Sequence, residues 1–273
     1  MTLEDVIISV LTESPRDQYS IFRKLGGKSA MSEIVRSITK LQNAGRIHVA
    51  GYRRNSRTGL DIPIYNTVPR EDERPDFHRL LAGVTSERLV EYDFVSRNLL
   101  PKTADATIVD IGSGGSALAS SISKFGRNFR VYSIDLGEYD CDARMDARST
   151  GLRDGVADQV ICVSAMEHVG LSCGIRDESG DIQAMKEIFR ILKYDGSAIV
   201  TVPYGSGYSR SHRVYDRKNL GRLIKGFSIA RIEFYRHSYG KWKKCSKASA
   251  EKAKPRVPEH FHNAACACML LKK

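Results

Sequence analysis

Between residues 106 and 225 the sequence alternates short apolar runs with amphipathic segments of helical spacing, and few folds accommodate that order. The apolar runs predict strands at 106–111, 129–136, 156–165 and 196–204. The amphipathic segments predict helices near 115–125, 181–192 and 216–225. Strands that alternate with helices form a parallel sheet covered by helices on both faces. We therefore predict an α/β fold with a doubly wound, Rossmann-like sheet.

The last part of the chain breaks this alternation. Residues 227–236 ("FSIARIEFYR") and 264–273 ("AACACMLLKK") both have strand character, and no helix of comparable strength separates them. Strands joined without a crossover helix pair antiparallel. The sheet is therefore predicted to be mostly parallel with an antiparallel edge strand. The connection 241–256 holds seven basic residues and one acidic residue, which predicts an exposed flap.

Residues 1–68 have a different organisation, in which three helical patterns precede two alternating stretches. The helical patterns are "TLEDVIISVLTES", "SPRDQYSIFRKLGG" and "KSAMSEIVRSITKLQNAG". The stretches "RIHVAGYRR" and "IPIYNTV", joined by "NSRTGLD", form a hairpin pattern. Three helices and a hairpin resemble a winged helix-turn-helix domain, and the polar, proline-marked residues after it predict a linker. The predicted domains are 1–68, winged helix-turn-helix; 69–84, linker; and 85–273, the α/β domain.

Positive charge is concentrated in two parts of the chain, whose formal net charge is +11. Residues 16–57 hold ten basic and two acidic residues, and residues 205–273 hold 17 and four. Excesses of this size attract phosphate backbones. The winged-helix resemblance implies that the third helix enters the major groove and the hairpin contacts phosphates. The implied residues are Ser32, Arg36, Ser37 and Lys40 in the groove and Arg53, Arg54 and Arg57 on the phosphates. The alternative is a docking or dimerisation module, which would make the chain a homodimer.

No segment indicates a membrane protein or an oxidising compartment. No apolar run approaches the ~20 residues that span a bilayer, and the acidic N-terminal stretch differs from a secretion signal. The six cysteines include no C-x-x-C pair and lie mostly in apolar surroundings. That usage favours reduced, packed thiols over disulfides or a metal site. We expect a soluble, cytoplasmic protein without a metal ion.

The stretch "VDIGSGGSALA" (109–119) matches the G-x-G-x-x-G/A turn that seats a nucleotide cofactor. Its glycines let the backbone approach the ligand, and Asp135 at the end of the next strand is placed to hold ribose hydroxyls. These features fit NAD(P) and S-adenosylmethionine equally. Asp110 and Asp146 favour S-adenosylmethionine, because carboxylates suit its cationic sulfonium and ammonium groups better than a pyrophosphate.

Several motifs in order resemble the class I S-adenosylmethionine-dependent methyltransferases over residues 85–273. The motifs are "VDIGSGG", "VYSIDL", "MDAR", "SAMEHVG" and "AMKEIFRILKYDGSAIVTVP". The resemblance implies S-adenosylmethionine as cofactor, bound by Asp110, Gly112, Gly114, Asp135, Leu136, Asp146, Ala147 and Ser164. Two departures are Ser116, where the family commonly has glycine, and "KYDG", where it has a proline–glycine turn. The alternatives are an NAD(P)-dependent oxidoreductase and a fold that binds the cofactor without catalysis.

Methyl transfer is an in-line displacement that needs a positioned nucleophile and, where that nucleophile is protonated, a base. Such sheets bind ligands at the carboxyl ends of their strands, where the sequence places His168 and Tyr204. We predict both as catalytic residues, His168 as the base because an imidazole ionises near neutral pH. A role in capping or packing the loop fits His168 equally well. The stretch "HRVYD" (212–216) forms either a substrate wall or the start of the next helix.

The methyl acceptor is less clearly indicated than the cofactor. No Asn/Asp-Pro-Pro-aromatic motif follows the strand that ends near 165, and the chain has no Pro-Cys pair, so methylation of DNA bases is not expected. The "EHVG" ending resembles small-molecule methyltransferases of quinone and lipid biosynthesis. Three hypotheses stay open: a small-molecule methyltransferase with a winged-helix appendage, a methyltransferase addressed to nucleic acid, and a DNA-binding regulator that senses the cofactor.

Overall fold

The chain forms two compact units, Met1–Glu73 and Arg74–Lys273. The division between them falls within the predicted linker. The computed structural model describes every residue except 1, 14–15, 27–28, 44–45, 56–60, 68–73, 76, 78–79, 82–83, 102–103, 116, 127, 173, 175, 207–211 and 254–263. Ser116, the departure in the glycine loop, therefore lies outside the described residues.

The first unit contains three helices and a small antiparallel sheet of order β1-β3-β2. Its elements are α1 (Leu3–Glu13), β1 (Arg16–Asp17), α2 (Gln18–Lys24), α3 (Met31–Asn43), β2 (Ile47–Arg54) and β3 (Asp61–Thr67). The two-residue strand β1 was not predicted. It ends in Asp17, whose carboxylate accepts hydrogen bonds from the backbone N–H groups of Tyr19 and Ser20 and so caps α2.

Helix α3 sorts its side chains by the helical period. Ile34, Ile38 and Leu41 are buried in the core of the first unit, whereas Arg36 and Lys40 are exposed. Residues three and four positions apart share a helix face, so the apolar stripe packs and the opposite face stays open to solvent.

The second unit is built on an eight-stranded sheet of order β10-β9-β11-β8-β7-β4-β5-β6. Its strands are β4 (Ala106–Ile111), β5 (Phe129–Asp135), β6 (Ala143–Arg144), β7 (Ala157–Val163), β8 (Leu192–Pro203), β9 (Ser228–Ser238), β10 (Lys241–Cys245) and β11 (Ala265–Lys272). Its helices are α4 (Arg88–Asn98), α5 (Leu118–Phe125), α6 (Gly180–Ile191), α7 (Arg217–Leu223) and α8 (Lys247–Glu251), with a short 3-10 helix at Met166–His168.

The strand directions confirm the predicted α/β class and the mostly parallel sheet. β4 pairs in parallel with β5 and β7, and β7 with β8, whereas β11 is antiparallel to both β8 and β9. β11 lies inside the sheet, and β10 forms the edge beyond β9. The predicted flap is regular rather than irregular over 241–251, where it forms β10 and α8, and its lysines are exposed as predicted. Trp242 and Cys245 pack against the hydrophobic cores on opposite faces of the sheet and hold β10 in place.

Two hydrophobic cores cover the two faces of this sheet. One core includes side chains of α6, α7 and α8, and the other includes side chains of α4 and α5. β4 is buried along its whole length, and four of its six residues are apolar. Within the described parts of the chain, no helix has the length and apolar character needed to cross a membrane.

Candidate active site

A cleft of about 530 Å³ opens at the carboxyl ends of β4, β5 and β7. Clefts of this size hold small-molecule ligands and cofactors. All eight predicted cofactor-binding residues line it: Asp110, Gly112, Gly114, Asp135, Leu136, Asp146, Ala147 and Ser164. The predicted base His168 lines the same cleft. The fold thus brings together groups that are far apart in sequence.

The glycine loop after β4 approaches its neighbours closely because it lacks side chains. Gly112 and Gly114 have φ angles of 72° and 56°, in the left-handed region that glycine adopts readily. A Cβ on Gly112 would overlap the Cβ of Ala165. The Gly114 N–H donates to Asp135 Oδ2 at 2.8 Å, and the Gly137 N–H donates to Asp135 Oδ1 at 2.8 Å. Asp135 therefore ties together the loops after β4 and β5.

Asp110, near the end of β4, is only 2% exposed. Burial raises the pKa of its carboxyl to about 7; the charge of Arg88 opposes this rise and that of Asp135 adds to it. The Asp110 Oδ2 atom is buried without a hydrogen-bond partner among the described residues. A buried acceptor of this kind is costly unless a ligand supplies a donor. Asp110 is therefore suited to a cationic ligand.

Helix α4 adds polar groups that no sequence motif indicated. Arg88 and Tyr92 line the cleft. The fully buried Glu91 accepts hydrogen bonds from Arg88 Nη1 at 2.8 Å, Ser164 Oγ at 2.6 Å and Thr201 Oγ1 at 2.8 Å. The sequence feature that could have indicated these groups is the i, i+3 spacing of Arg88 and Glu91, in a helix that carries several apolar residues.

Asp146 lies in the cleft beside an arginine. Arg148 Nη2 donates to Asp146 Oδ2 at 2.7 Å, and Arg148 Nε lies 3.1 Å from both carboxylate oxygens. Arg148 Nη1 also donates to Asp177 Oδ2 at 3.1 Å. Hydrogen bonding to Arg148 lowers the pKa of Asp146. A ligand amino group that reaches Asp146 therefore meets an ionised carboxylate that Arg148 already holds.

His168 lies near the start of the His168 loop, defined here as residues 166–180 and described apart from 173 and 175. Its side chain is 39% exposed, and its Nε2 atom lies 4.0 Å from Glu167 Oε1. Its ring centroid is 5.6 Å from that of His212. Glu167 is buried, and burial raises the pKa of its carboxyl to about 8. The exposed imidazole, rather than the buried carboxyl, is thus placed to exchange a proton with a ligand.

Arg213, in the predicted "HRVYD" stretch, holds the His168 loop. Its Nη1 donates to the Val169 carbonyl at 2.6 Å and its Nη2 to the Asp177 carbonyl at 3.0 Å. Its Nε lies 3.6 Å from Asp181 Oδ2, which also accepts the Tyr215 hydroxyl at 2.9 Å. The stretch therefore clamps the loop that carries the predicted base, a contact that neither predicted alternative describes.

Tyr204, the second predicted catalytic residue, is placed in the core. It is 2% exposed, and its ring centroid lies 4.8 Å from that of Phe234. It is not among the described residues that line the cleft. Burial raises the pKa of its hydroxyl to about 12, and the hydroxyl has no hydrogen-bond partner among the described residues. Its position at the end of β8 was predicted correctly, but its side chain packs in the hydrophobic core.

In the first unit, the groove residues predicted on α3 have different surroundings. Ser32, Arg36 and Lys40 are exposed. Lys40 Nζ forms an ion pair with Glu4 Oε1 of α1 at 3.1 Å. The prediction for Ser37 is wrong, because Ser37 is 8% exposed and its Oγ donates to Glu4 Oε1 at 3.3 Å. Ser37 thus helps α3 pack on α1.

The predicted phosphate-binding arginines belong to the β2–β3 hairpin. Arg54 is exposed at the end of β2. The Arg53 side chain and the whole of Arg57 lie outside what the structure describes.

Part of the second unit matches a known protein family. Residues 109–200 match a family model described as a methyltransferase domain. The chain is similar in structure to a SAM-dependent methyltransferase from Archaeoglobus fulgidus, with 16% identity, 72% of this chain and 100% of the other covered, and a TM-score of 0.47. It is similar to one from Methanosarcina mazei, with 14% identity, coverage of 64% and 95%, and a TM-score of 0.44.

A third similar structure is the 1,6-didemethyltoxoflavin-N1-methyltransferase of Burkholderia thailandensis, solved with bound 1,6-didemethyltoxoflavin and S-adenosylhomocysteine. It has 13% identity, covers 72% of this chain and 82% of its own, and has a TM-score of 0.46. The comparison with curated proteins gave no match. At these identities, the structural likenesses concern the fold alone.

The chemistry of the residues that line the cleft fits S-adenosylmethionine independently of these comparisons. The buried Asp110 Oδ2 atom, which has no hydrogen-bond partner among the described residues, suits the positive charge of the cofactor, and the space beside Gly114 is open to a ligand. No group of three or more His, Cys, Asp or Glu side chains in the described ranges could hold a metal ion. The methyltransferase-domain match over residues 109–200 and the chemistry of the cleft both support the predicted S-adenosylmethionine-dependent methyltransferase activity, with S-adenosylmethionine as cofactor.

Proposed function

We propose that residues 85–273 transfer a methyl group to a hydroxyl or amino group of a small molecule. The observation that carries this proposal is the cleft that the glycine loop, Asp135, Asp146 and His168 line together. The lack of base-methylation motifs in the sequence argues against a DNA base as acceptor. The "EHVG" ending favours acceptors of the quinone- or lipid-precursor type.

The residues of the cleft have separate roles in this proposal. Asp110 pairs with the cationic end of the cofactor, Asp135 accepts from the ribose hydroxyls, and Asp146 accepts from the adenine amino group. The bound cofactor supplies an electrophilic methyl group. His168 accepts the proton that the acceptor's hydroxyl or amine gives up. Arg213 keeps His168 in position through the carbonyls of its loop.

Mass spectrometry of cell extract incubated with the protein and methyl-labelled S-adenosylmethionine tests this proposal. We expect a labelled small-molecule product, together with binding of S-adenosylhomocysteine in calorimetry. Tight binding of NADH in place of S-adenosylhomocysteine would favour the oxidoreductase alternative. Cofactor binding without any labelled product would favour a regulator that senses the cofactor, and labelled nucleic acid would refute the small-molecule acceptor.

We further propose that residues 1–68 form a winged helix-turn-helix domain, which the linker 69–84 joins to the α/β domain. This domain binds duplex nucleic acid to localise the protein, and the duplex is not the methylated substrate. Three helices followed by a hairpin support the assignment. The exposed Arg36, Lys40 and Arg54 support the binding, since they lie on the helix and hairpin that contact DNA in such domains. A module for docking or homodimer formation is the competing proposal.

Salt dependence of duplex binding distinguishes these two proposals. Each neutralised phosphate contact contributes about 0.9 to the log–log slope of affinity against salt, so R53A/R54A/R57A should lower the slope by up to about 3. Substitution of Arg36 or Lys40 should change sequence preference instead. Lys24→Ala, an exposed cation at the end of α2, serves as the control. A wild-type chain that binds no duplex at low salt supports the docking module.

A further inference from the structure

The β9–β10 hairpin at the sheet edge carries a row of cations to which the described residues supply no carboxylate partner. Lys243 lies directly opposite Arg236, and Lys241 lies opposite Ser238 in the same antiparallel ladder. Residues two apart on a strand share a face, so all three cations belong to one face of the hairpin. Like charges directly opposite each other destabilise a strand pair. The hairpin therefore has an arrangement that an anionic partner would stabilise.

The other face of the hairpin shows what a compensated cation looks like. Lys244 Nζ forms an ion pair with Glu233 Oε1 at 2.9 Å. Burial raises the pKa of Glu233, but the hydrogen bonds from Arg97 and Tyr235 outweigh burial and leave that pKa at about 2. Across the part of the chain that the structure describes, Arg236, Lys241 and Lys243 have no such carboxylate partner. The charge on their face is thus not part of an internal network.

The tip of the same hairpin exposes an aromatic ring. Tyr239 is 93% exposed, next in sequence to Gly240, and has a φ angle of 49°. Two-residue hairpin turns with positive φ at both positions favour Asn-Gly or Gly-Gly, because a side chain such as tyrosine strains there. Neither burial nor turn chemistry therefore accounts for a tyrosine at this position.

We propose that the β9–β10 hairpin binds single-stranded nucleic acid, with a base stacked on Tyr239 and phosphates paired with Arg236, Lys241 and Lys243. Lys241 and Lys243 are separated by about 7 Å along the strand, which suits a chain of phosphates better than one free anion. An unpaired strand offers open base faces to an aromatic ring, whereas a duplex keeps its bases stacked on each other. A lipid surface would call for an apolar face on this edge, where the described exposed residues are mainly basic.

The experiment measures binding of the full-length protein to a fluorescein-labelled oligothymidylate of about 15 nucleotides by anisotropy at several salt concentrations. Tyr239→Ala should weaken binding about fivefold or more, the loss typical of one stacked base. R236Q/K241Q/K243Q should lower the log–log salt slope by up to about 2, since each contact to a single strand contributes about 0.7. Tyr239→Asn removes the ring but suits the turn, so it separates lost stacking from lost folding.

Matched controls and competitors decide the outcome. Tyr194→Ala removes another exposed tyrosine, 88% exposed and beside Asp195, and should leave affinity unchanged. K124Q/K186Q removes two exposed lysines elsewhere and should leave the slope unchanged. The proposal fails if wild type binds no single strand at low salt, or if Tyr239→Asn binds like wild type. It also fails if a duplex or vesicles of anionic lipid bind more tightly and show the same dependence on these residues. Arg236, Lys241 and Lys243 would then only guard the sheet edge against pairing.

Discussion

The cleft has a cofactor end, around Asp110 and Asp135, and a proposed acceptor end, around His168. Different kinds of contact hold these two ends in place. At the cofactor end, backbone N–H groups of Gly114 and Gly137 bind one carboxylate, that of Asp135. At the acceptor end, Arg213 holds the His168 loop by donating to the backbone carbonyls of Val169 and Asp177, which lie 44 and 36 residues away. The first end is a short local motif, whereas the second depends on contacts between segments far apart in sequence.

This difference indicates how each end responds to substitution. The cofactor end keeps a carboxylate oxygen of Asp110 buried and unpartnered among the described residues, so it is completed by its ligand. At the acceptor end, the His168 loop already has its hydrogen-bond partners within the protein. The rate of methyl transfer therefore depends on how accurately these contacts position His168. Changes at the first end should alter cofactor affinity, and changes at the second should alter turnover.

The largest effect is expected for His168→Ala. Loss of a general base lowers turnover by about 100-fold or more, while affinity for S-adenosylhomocysteine should stay nearly unchanged because no predicted cofactor contact is removed. Steady-state kinetics on the product identified by labelling, with calorimetry alongside, measures both. Normal turnover by His168→Ala would assign the residue to packing of the loop and would remove the contrast between the two ends.

Asp135→Ala should have the next largest effect, which should appear in cofactor affinity. It removes the acceptor of two backbone hydrogen bonds and of the proposed ribose contacts, a loss of about 1.5–3 kcal/mol for charged hydrogen bonds. That corresponds to roughly 10- to 150-fold weaker binding of S-adenosylhomocysteine in calorimetry. Asp140→Ala, an exposed carboxylate of the same segment, should bind normally. Equal affinities for the two variants would contradict the role given to Asp135.

Arg213→Lys should lower turnover by about tenfold without changing cofactor affinity. Lysine keeps the charge but cannot reach the Val169 and Asp177 carbonyls together, and small displacements of a catalytic group are costly. Guanidinium ion added to Arg213→Ala should restore part of the turnover, which general destabilisation would not allow. Arg217→Lys on the exposed side of α7 is the control. A drop in cofactor affinity equal to the drop in turnover would mean that the two ends are not separate.

The smallest effect concerns pH. Because burial holds the pKa of Asp110 near 7 in the free protein, the carboxyl is largely protonated below that pH and cannot pair with a cation. Affinity for S-adenosylmethionine should therefore rise by about fivefold from pH 6 to pH 7 and level off above about pH 8. Asp110→Asn should bind more weakly and show a flatter profile. A wild-type affinity that falls over the same interval would place the cationic group of the ligand elsewhere.

The Asp110 carboxyl should also make the free energy of unfolding depend on pH. Stability should fall as the pH rises, whereas affinity for S-adenosylmethionine should increase. A carboxyl whose pKa is higher in the folded than in the unfolded chain binds its proton more tightly when folded. Its contribution is favourable at low pH and is lost as the pH rises from about 4 to about 7. Bound cofactor should reduce this loss, since its positive charge stabilises the ionised Asp110.

Much of the cofactor end could be predicted from the sequence. The strand at 106–111 has the bounds of β4, and Asp110, Gly112, Gly114 and Asp135 all line the cleft. Their spacing relative to consecutive strands was sufficient, because a strand–turn–helix unit forms from neighbouring residues. Tyr204 shows the limit of that rule: the end of β8 was located to within one residue, but the side chain lies in the core.

The acceptor end could not be predicted in the same way. Glu91, Arg148 and Arg213 each make hydrogen bonds to partners 29 or more residues away, and these distant partners leave no mark in the local sequence. The close approach of Gly170 to Asp177, where a Cβ would overlap the Asp177 carbonyl, is also a property of the folded loop.

The sequence by itself determined the alternation of strands and helices, the glycine loop and the acidic residues at the ends of β4 and β5, because periodicity and turn chemistry act over a few neighbouring residues. Only the tertiary structure decided that β11 lies between β8 and β9, that Ser37 and Tyr204 are buried, and that Arg213 clamps the His168 loop. Strand order, side-chain burial and arginine contacts depend on which distant segments pack against each other, and no local sequence pattern specifies that packing.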